Sequence, residues 1–287
     1  MLQFDLRPTE FCGACQDCQG KPREVDPAHA VSEDSAGRSL HLFCLEPSER
    51  NFKALQHLHQ SVFADLNQAT SYTLQWSLHQ LAVSNSSGIL RFPADCGSET
   101  CSLPYDDKQV CIRKDYASTP SRPLRADHNC VVANLTRSEN GLNLQETLGL
   151  DLVNVQANTV DDFFEKELLP AGIFHVELLK IDTEGFDPLV LQGAHRTLAE
   201  GRATMLQFEY HNLRAWSHTS LKSVVQDLET LGYTCYFDGS PTLLRITNLW
   251  VDSLEFRDWS NIICALTSLE PLVHALNIRS FGLGPDN

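Results

Sequence analysis

Phe174-His175-Val176-Glu177-Leu178-Leu179-Lys180-Ile181-Asp182 is a largely apolar run that stops at Thr183-Glu184-Gly185. Such a run, bounded by a glycine turn, reads as a buried strand. Asp187 and Pro188 then supply an N-cap and a first-turn proline for a helix. Leu189, Val190, Leu191, Ala194 and Leu198 give that helix its buried face, and Gly201 closes it. A strand that feeds directly into a helix must find neighbours to cover both. The chain repeats the pattern.

Downstream, a strand over Thr204–Tyr210 precedes a helix from Ser220 to Leu231, stopped by Gly232, and Tyr233–Phe237 and Asn261–Ala265 read as further strands. Upstream, Leu40-His41-Leu42-Phe43-Cys44-Leu45 is a buried strand ending at Glu46-Pro47. Ser48 caps a helix in which Phe52, Leu55 and Leu58 recur at helical spacing. Strand-like stretches follow at Thr73–Val83 and Ile89–Phe92, then a strand over Asp151–Gln156 and a helix over Asp161–Leu169. Strand–helix alternation with short connections predicts a doubly wound, mostly parallel α/β sheet. Its ligand belongs at the carboxyl ends of the strands.

Three regions stand outside that alternation. Residues 1–38 are rich in Pro, Gly, Asp, Glu and Ser and read as an irregular N-terminal arm. Residues 93–150, polar and rich in Cys, Pro and Asp, read as an insertion with room for a hairpin within a domain spanning 39–268. Residues 269–287 are left as a C-terminal tail. Cys12, Cys15 and Cys18 have no evident fourth partner for a tetrahedral metal site, so loose or disulfide-linked thiols are the preferred reading. The middle cluster (Cys96, Cys101, Cys111 and Cys130) suits a disulfide staple if the compartment is oxidising.

Charge narrows the partners. Twenty-two basic against 37 acidic residues leave a net charge of −15, which argues against neutralising phosphates on nucleic acid or an anionic membrane. No apolar run reaches the roughly 18 residues a membrane span requires. The N-terminus carries no secretory signal, so the default compartment is the cytoplasm, or a secretory lumen if a longer N-terminus precedes Met1.

Acid gathers at the predicted carboxyl ends: Glu46 after one strand, Asp182 and Glu184 after another, Glu209 with His211 after a third. A carboxylate after the second strand suits a ribose, whose two hydroxyls both donate to it; the plainer use is a solvated residue before a proline turn. Asp182 and Glu184 suit metal ligation, acid–base work or helix capping. Glu209 suits a satisfied core carboxylate as well as a functional one, and His211 an ordinary loop histidine.

Leu45-Glu46-Pro47-Ser48-Glu49-Arg50-Asn51-Phe52, Ala82-Val83-Ser84-Asn85 with Gly88, Leu179-Lys180-Ile181-Asp182-Thr183-Glu184-Gly185 with Val190-Leu191-Gln192-Gly193-Ala194, Leu206–Tyr210, Leu231-Gly232-Tyr233 and Trp259-Ser260-Asn261 occur in that order. Together they resemble the FkbM-type S-adenosylmethionine-dependent methyltransferases over about residues 40–265. The resemblance implies a Rossmann-like fold, S-adenosylmethionine as cofactor, and methyl transfer to a sugar or other small hydroxyl acceptor, free or in a glycan. It implies cofactor contacts at Glu46, Ser84 and Asn85, and a proton acceptor among Asp182, Glu184, Glu209 and His211. It also implies a first strand ending in an acidic, glycine-rich loop, where backbone approaches the cofactor. Before Glu46 the chain offers only Phe4-Asp5-Leu6-Arg7-Pro8 and Gly13-Ala14. The expected sheet therefore lacks its first strand, and a catalytically inactive binding scaffold is the alternative reading.

Overall fold

The computed structural model describes residues 2–5, 38–69, 72–94, 109–113, 130–134, 152–239 and 242–280. Its central feature is an eight-stranded sheet. In chain order the strands of that sheet are β1 (Leu2–Asp5), β2 (Arg38–Leu45), β3 (Tyr72–His79), β9 (Val176–Ile181), β10 (Ala203–Tyr210), β11 (Tyr233–Asp238), β12 (Leu243–Arg245) and β13 (Ser260–Leu266). In space the order is β12-β11-β13-β10-β9-β1-β2-β3. β2 runs parallel to β3, and β9 to β10, while β13 lies antiparallel between β10 and β11. The α/β class expected from the alternation is present, but the sheet is not mostly parallel as expected: β2–β3 and β9–β10 pair parallel, while β1, β12 and β13 run against their neighbours.

The slot between β2 and β9 differs from expectation. It is filled by β1, which pairs antiparallel with both neighbours. The first residues of the N-terminal arm thus form a central strand rather than irregular chain. Four residues are too few for their alternation to register as a period. Because β1 is reversed, Leu2 aligns with Leu45 and with Ile181, so the ends of β2 and β9 lie level at one edge of the sheet. Asp5 lies towards the other edge, opposite Leu42 and Leu178.

The predicted Thr73–Val83 strand divides in two. β3 ends at His79, and Ala82–Val83 form β4, which pairs with β8 (Leu152–Asn158). β8 in turn pairs with β5 (Gly88–Pro93), making a separate three-stranded sheet with its own small core of Ala82, Phe92, Val155 and Ala157. The apolar Leu81-Ala82-Val83 run continues across the break, so composition hides it. Between β5 and β8, β6 (Gln109–Arg113) and β7 (Cys130–Asn134) pair as an antiparallel two-stranded sheet. Cys12, Cys15, Cys18, Cys96 and Cys101 lie outside the described residues.

Helix α1 (Glu49–Ala69) starts where Ser48 Oγ accepts the Asn51 amide, as its position predicts. α2 (Val160–Phe163) is capped by Thr159 and runs on into a wider π-helical turn over Phe164–Leu168. α3 (Asp187–Gly193) and α4 (His195–Ala199) split the predicted single helix at Ala194. Asp161 receives the Arg196 and Thr197 amides, tying the start of α4 to α2. α5 (Leu221–Thr230) buries Leu221, Val224, Val225 and Leu228. The predicted tail contains α6 (Glu270–Ile278). Trp216, Tyr210, Tyr233 and Phe208 are fully buried in the main core, each removing about 150–250 Å² of aromatic surface from water. Trp216 packs against Phe208 and Tyr210.

Cys235 and Cys264 are directly opposed on β11 and β13 and form a disulfide. Nothing in the sequence distinguished this pair, because only strand register brings them face to face. The resulting loop of 29 residues corresponds to about 3–4 kcal/mol of chain-entropy stabilisation. Among the described residues no helix is long and apolar enough to cross a membrane.

Gly193, the last residue of α3, touches the Ser84 turn so closely that a Cβ would overlap the Ser84 carbonyl oxygen and sit 3.2 Å from Asn85 Cα. Backbone cannot step aside as a flexible side chain can. Gly193→Ala should therefore lower unfolding free energy by about 1–3 kcal/mol in urea titration, although alanine is the better helix former.

Candidate active site

The carboxyl edge of the main sheet is built by alignment. β9 pairs with β10 so that Lys180 is level with Gln207, which brings Asp182 level with Glu209. With β1 between them, β2 and β9 are two strand spacings apart, about 10 Å. Glu46, Asp182 and Glu209 thus occupy one edge, as their places at strand ends predict.

Asp187 organises this edge. It is the first residue of α3, not its N-cap, and it is fully buried. Its Oδ2 accepts from the Gly185 amide at 3.2 Å and the Thr183 hydroxyl at 3.1 Å, while Oδ1 accepts from the Glu209 amide at 3.2 Å. One carboxyl therefore clamps the turn after β9 to the end of β10. Burial pushes it up to about 7 against the downward pull of these hydrogen bonds.

The clamped turn is unusual backbone. Glu184 has φ of 56°, a left-handed conformation uncommon for a residue with a side chain. Its carbonyl accepts from the Arg214 guanidinium at 2.7 Å, and the Gly185 carbonyl accepts from the Ala215 amide at 3.1 Å. Gly185 follows with φ of 98°, and a Cβ there would lie 2.9 Å from His211 Cε1 and 2.9 Å from the Leu213 carbonyl oxygen. Glycine is required both by conformation and by space. Arg214 also lies over the Phe186 ring at 5.9 Å.

A second loop closes on the turn from β13. Trp259 stacks on His211 with ring centroids 4.3 Å apart, and its indole N–H donates to Glu209 Oε1 at 3.2 Å. This loop is anchored by Glu255, whose carboxylate accepts the Leu221 and Lys222 amides at the start of α5 and the Ser220 and Tyr210 hydroxyls. Burial raises Glu255, but those four hydrogen bonds outweigh it and hold the carboxyl below its ordinary range.

The four predicted catalytic residues Asp182, Glu184, Glu209 and His211 are thus brought to one place. Burial first, then repulsion from Glu209 and Asp182, pushes Glu184 up to about 7 against the attraction of Arg214. Burial also raises Glu209, opposed by the Trp259 hydrogen bond. His211 is pushed down to about 4 by burial and by Arg214, against Asp182. Asp182 pairs with Lys180 at 2.8 Å. Glu184 Oε2, Glu209 Oε2 and His211 Nε2 are buried without a hydrogen-bond partner. Leaving such atoms unpaired costs about 1–3 kcal/mol each.

Of the other predicted residues, Glu46 lies on the same edge, while Ser84 and Asn85 follow β4 in the separate three-stranded sheet. Glu46 is buried, its amide donating to the His79 carbonyl and its Oε1 accepting the Ser48 amide at 2.8 Å. Ser84 and Asn85 sit against the end of α3, where Asn85 Nδ2 donates to Gln192 at 3.3 Å. Among the described residues no three His, Cys, Asp or Glu side chains are grouped to hold a metal ion. Asp187 and Arg214 were not foreseen as part of the site. Asp-Pro at a helix start reads as an ordinary cap, and Arg214 carries no local signal at all. Trp259 stood within a family motif, without a role.

A family model described as "Methyltransferase FkbM domain" matches residues 12–235. No curated protein and no solved structure matches the chain.

Asp187 and Glu184 both bind protons more tightly folded than unfolded, each rising from its ordinary carboxyl range to about 7. Between about pH 4 and 7 the native state therefore holds the extra protons, and stability falls as pH rises through that window. His211, lowered to about 4, contributes in the opposite sense. In urea titrations across this range, Asp187→Asn should flatten the decline by a few kcal/mol, on the order expected for one fully buried carboxyl. An unchanged slope would remove Asp187 as its source.

Proposed function

The chain belongs to the FkbM methyltransferase family, and on that premise we propose that it methylates the oxygen of a sugar or other small hydroxyl acceptor, using S-adenosylmethionine. The observation that carries the reading is that Glu184, Glu209 and His211, all at or just after the ends of β9 and β10, each keep a buried polar atom with no hydrogen-bond partner. We also read the strand order as a doubly wound, Rossmann-like sheet, supported by β2, β3, β9 and β10 pointing one way.

The residues present fit the cofactor at two points. Glu46 is a buried carboxylate at the end of the second strand with one oxygen held by the Ser48 amide, and in this reading its other oxygen receives the ribose hydroxyls. Ser84 and Asn85 would flank the same molecule. The acid cluster fits a positive sulfonium, since carboxylates in a site shielded from water favour a cation over its neutral product. When bound, the cofactor supplies an electrophilic methyl carbon, to which the acceptor oxygen bonds as the carbon–sulfur bond breaks.

The protein's own part is to orient, exclude water and receive a proton. Candidates for the proton are Asp182, Glu184, Glu209 and His211. Trp259, 55% exposed and beside Glu209, supports a ring acceptor. Its open indole face can take the apolar side of a sugar while Glu209 takes a hydroxyl.

Calorimetric titration with S-adenosylhomocysteine tests the reading directly. Wild type should bind, and Glu46→Ala should bind about 10–100-fold more weakly, the loss expected for one or two hydrogen bonds to a charged group. No heat from the wild type at millimolar ligand would sink the proposal in favour of an inactive scaffold.

A further inference from the structure

Which group takes the acceptor's proton can be narrowed from the imidazole alone. The Leu213 amide donates to His211 Nδ1 at 3.2 Å. A backbone N–H can only donate, so Nδ1 must present its lone pair. A neutral imidazole carries one proton, and here it resides on Nε2.

The ring has little freedom to choose otherwise. His211 is 1% exposed. Trp259 covers one face, Gly185 abuts Cε1, and the Leu213 amide holds Nδ1. The charged groups around it are Arg214 from its own loop, Asp182 from the end of β9, Glu184 from the clamped turn and Glu209 from β10. Burial and Arg214 outweigh Asp182 and keep the ring neutral above about pH 5. A proton delivered to His211 would have to enter at Nδ1, against the amide already pointing there. Nε2–H is buried and unpartnered, a donor with no acceptor in the protein.

We propose that His211 serves the acceptor as a fixed Nε2–H donor, and that the Glu184 carboxylate takes the acceptor's proton. This rests on the methyl-transfer reading above. Asp182 is paired with Lys180, and Glu209 Oε1 accepts the Trp259 indole N–H, so each of these carboxylates already has an oxygen engaged. The Glu184 side chain has a buried oxygen with no partner. Burial, and after it repulsion from Glu209 and Asp182, supports the choice by bringing Glu184 to about 7, where a base is most effective at neutral pH. The step balances: an oxygen lone pair forms the new O–CH₃ bond, the C–S pair returns to sulfur, and the O–H proton passes to Glu184. It leaves Glu184 later for solvent.

The ligand-free protein suffices for the decisive test. With ¹⁵N-histidine labelling, His211, assigned by loss of its signal in His211→Gln, should show a protonated Nε2 and an unprotonated Nδ1. That pattern should persist from about pH 5.5 to 9, across the ordinary histidine range. A protonated Nδ1, or a midpoint near the ordinary histidine value, overturns the donor assignment. Leu213→Pro, which deletes the amide donor, should mix the tautomers, whereas Leu213→Ala should not. If Leu213→Pro does not fold, the wild-type spectrum still decides. Carboxyl ¹³C spectra should show Glu184 titrating near neutrality and its signal missing in Glu184→Gln; an ordinary acidic midpoint overturns the base assignment. With a hydroxyl acceptor, Glu184→Gln should lower kcat by about 10²–10⁴-fold with cofactor affinity kept, and His211→Gln should act mainly on acceptor KM. The reverse ranking overturns the proposal. Failure of S-adenosylhomocysteine to bind would sink methyl transfer itself, so the two failures are distinguishable.

Discussion

A carboxyl group taken wholly out of water must find donors, and Asp187 finds them on two strands at once. Its hydrogen bonds from Gly185, Thr183 and Glu209 join the turn after β9 to the end of β10. Glu184 and Glu209 project from the two sides of that joint. Without it, two like-charged, half-buried side chains would separate and hydrate. Asp187 holds the Glu209 amide, and Glu209 adds its repulsion to the burial that chiefly raises Glu184. The left-handed backbone at Glu184 is held the same way, from outside, by Arg214. Strain at this turn is sustained by neighbours that over-determine it.

The parts of this arrangement differ in how legible they were. β2, β9 and β10 could be read from the chain because each is a dense apolar run ending in acid, and edge position follows from strand ends. Glu46, Asp182, Glu184, Glu209 and His211 fall together for that reason. Asp187 was legible only as far as its local pattern went: Asp-Pro looks like the start of a helix, and it is one. Its bond to the Glu209 amide spans 22 residues, and no periodicity reports that. The tautomer of His211 depends on one amide two residues away, and the Cys235–Cys264 bond on strand register. The break between β3 and β4 was hidden because its residues are as apolar as its flanks. Local composition reports burial well; it is silent on which buried groups meet.

Acidity, too, divides into kinds. Most of the −15 charge has no bearing on the site. What matters is a small set whose members are held unlike one another: Asp182 neutralised by Lys180, Glu209 steadied by an indole, Glu184 crowded, Asp187 saturated with donors. Glu184 and Asp187 are thereby pushed up to about 7, far from the ordinary carboxyl range, and such separation is what dividing acid–base labour requires.

The threading of the main sheet bears on how the molecule is made. Among the described strands β13 comes last in sequence but is inserted between β10 and β11, and β1, the earliest of them, lies between β2 and β9. A ribosome that has delivered residues up to Arg245 has exported both neighbours of β13 but not β13 itself. Until Ser260–Leu266 emerges, β10 and β11 have unpaired edges facing each other across an empty lane, and Cys235 awaits its partner. Pairings of such long sequence separation form slowly, and open apolar edges invite association with other chains. Nascent chains of this protein therefore have their most vulnerable interval late, in the time needed to translate the loop that carries Glu255 and Trp259.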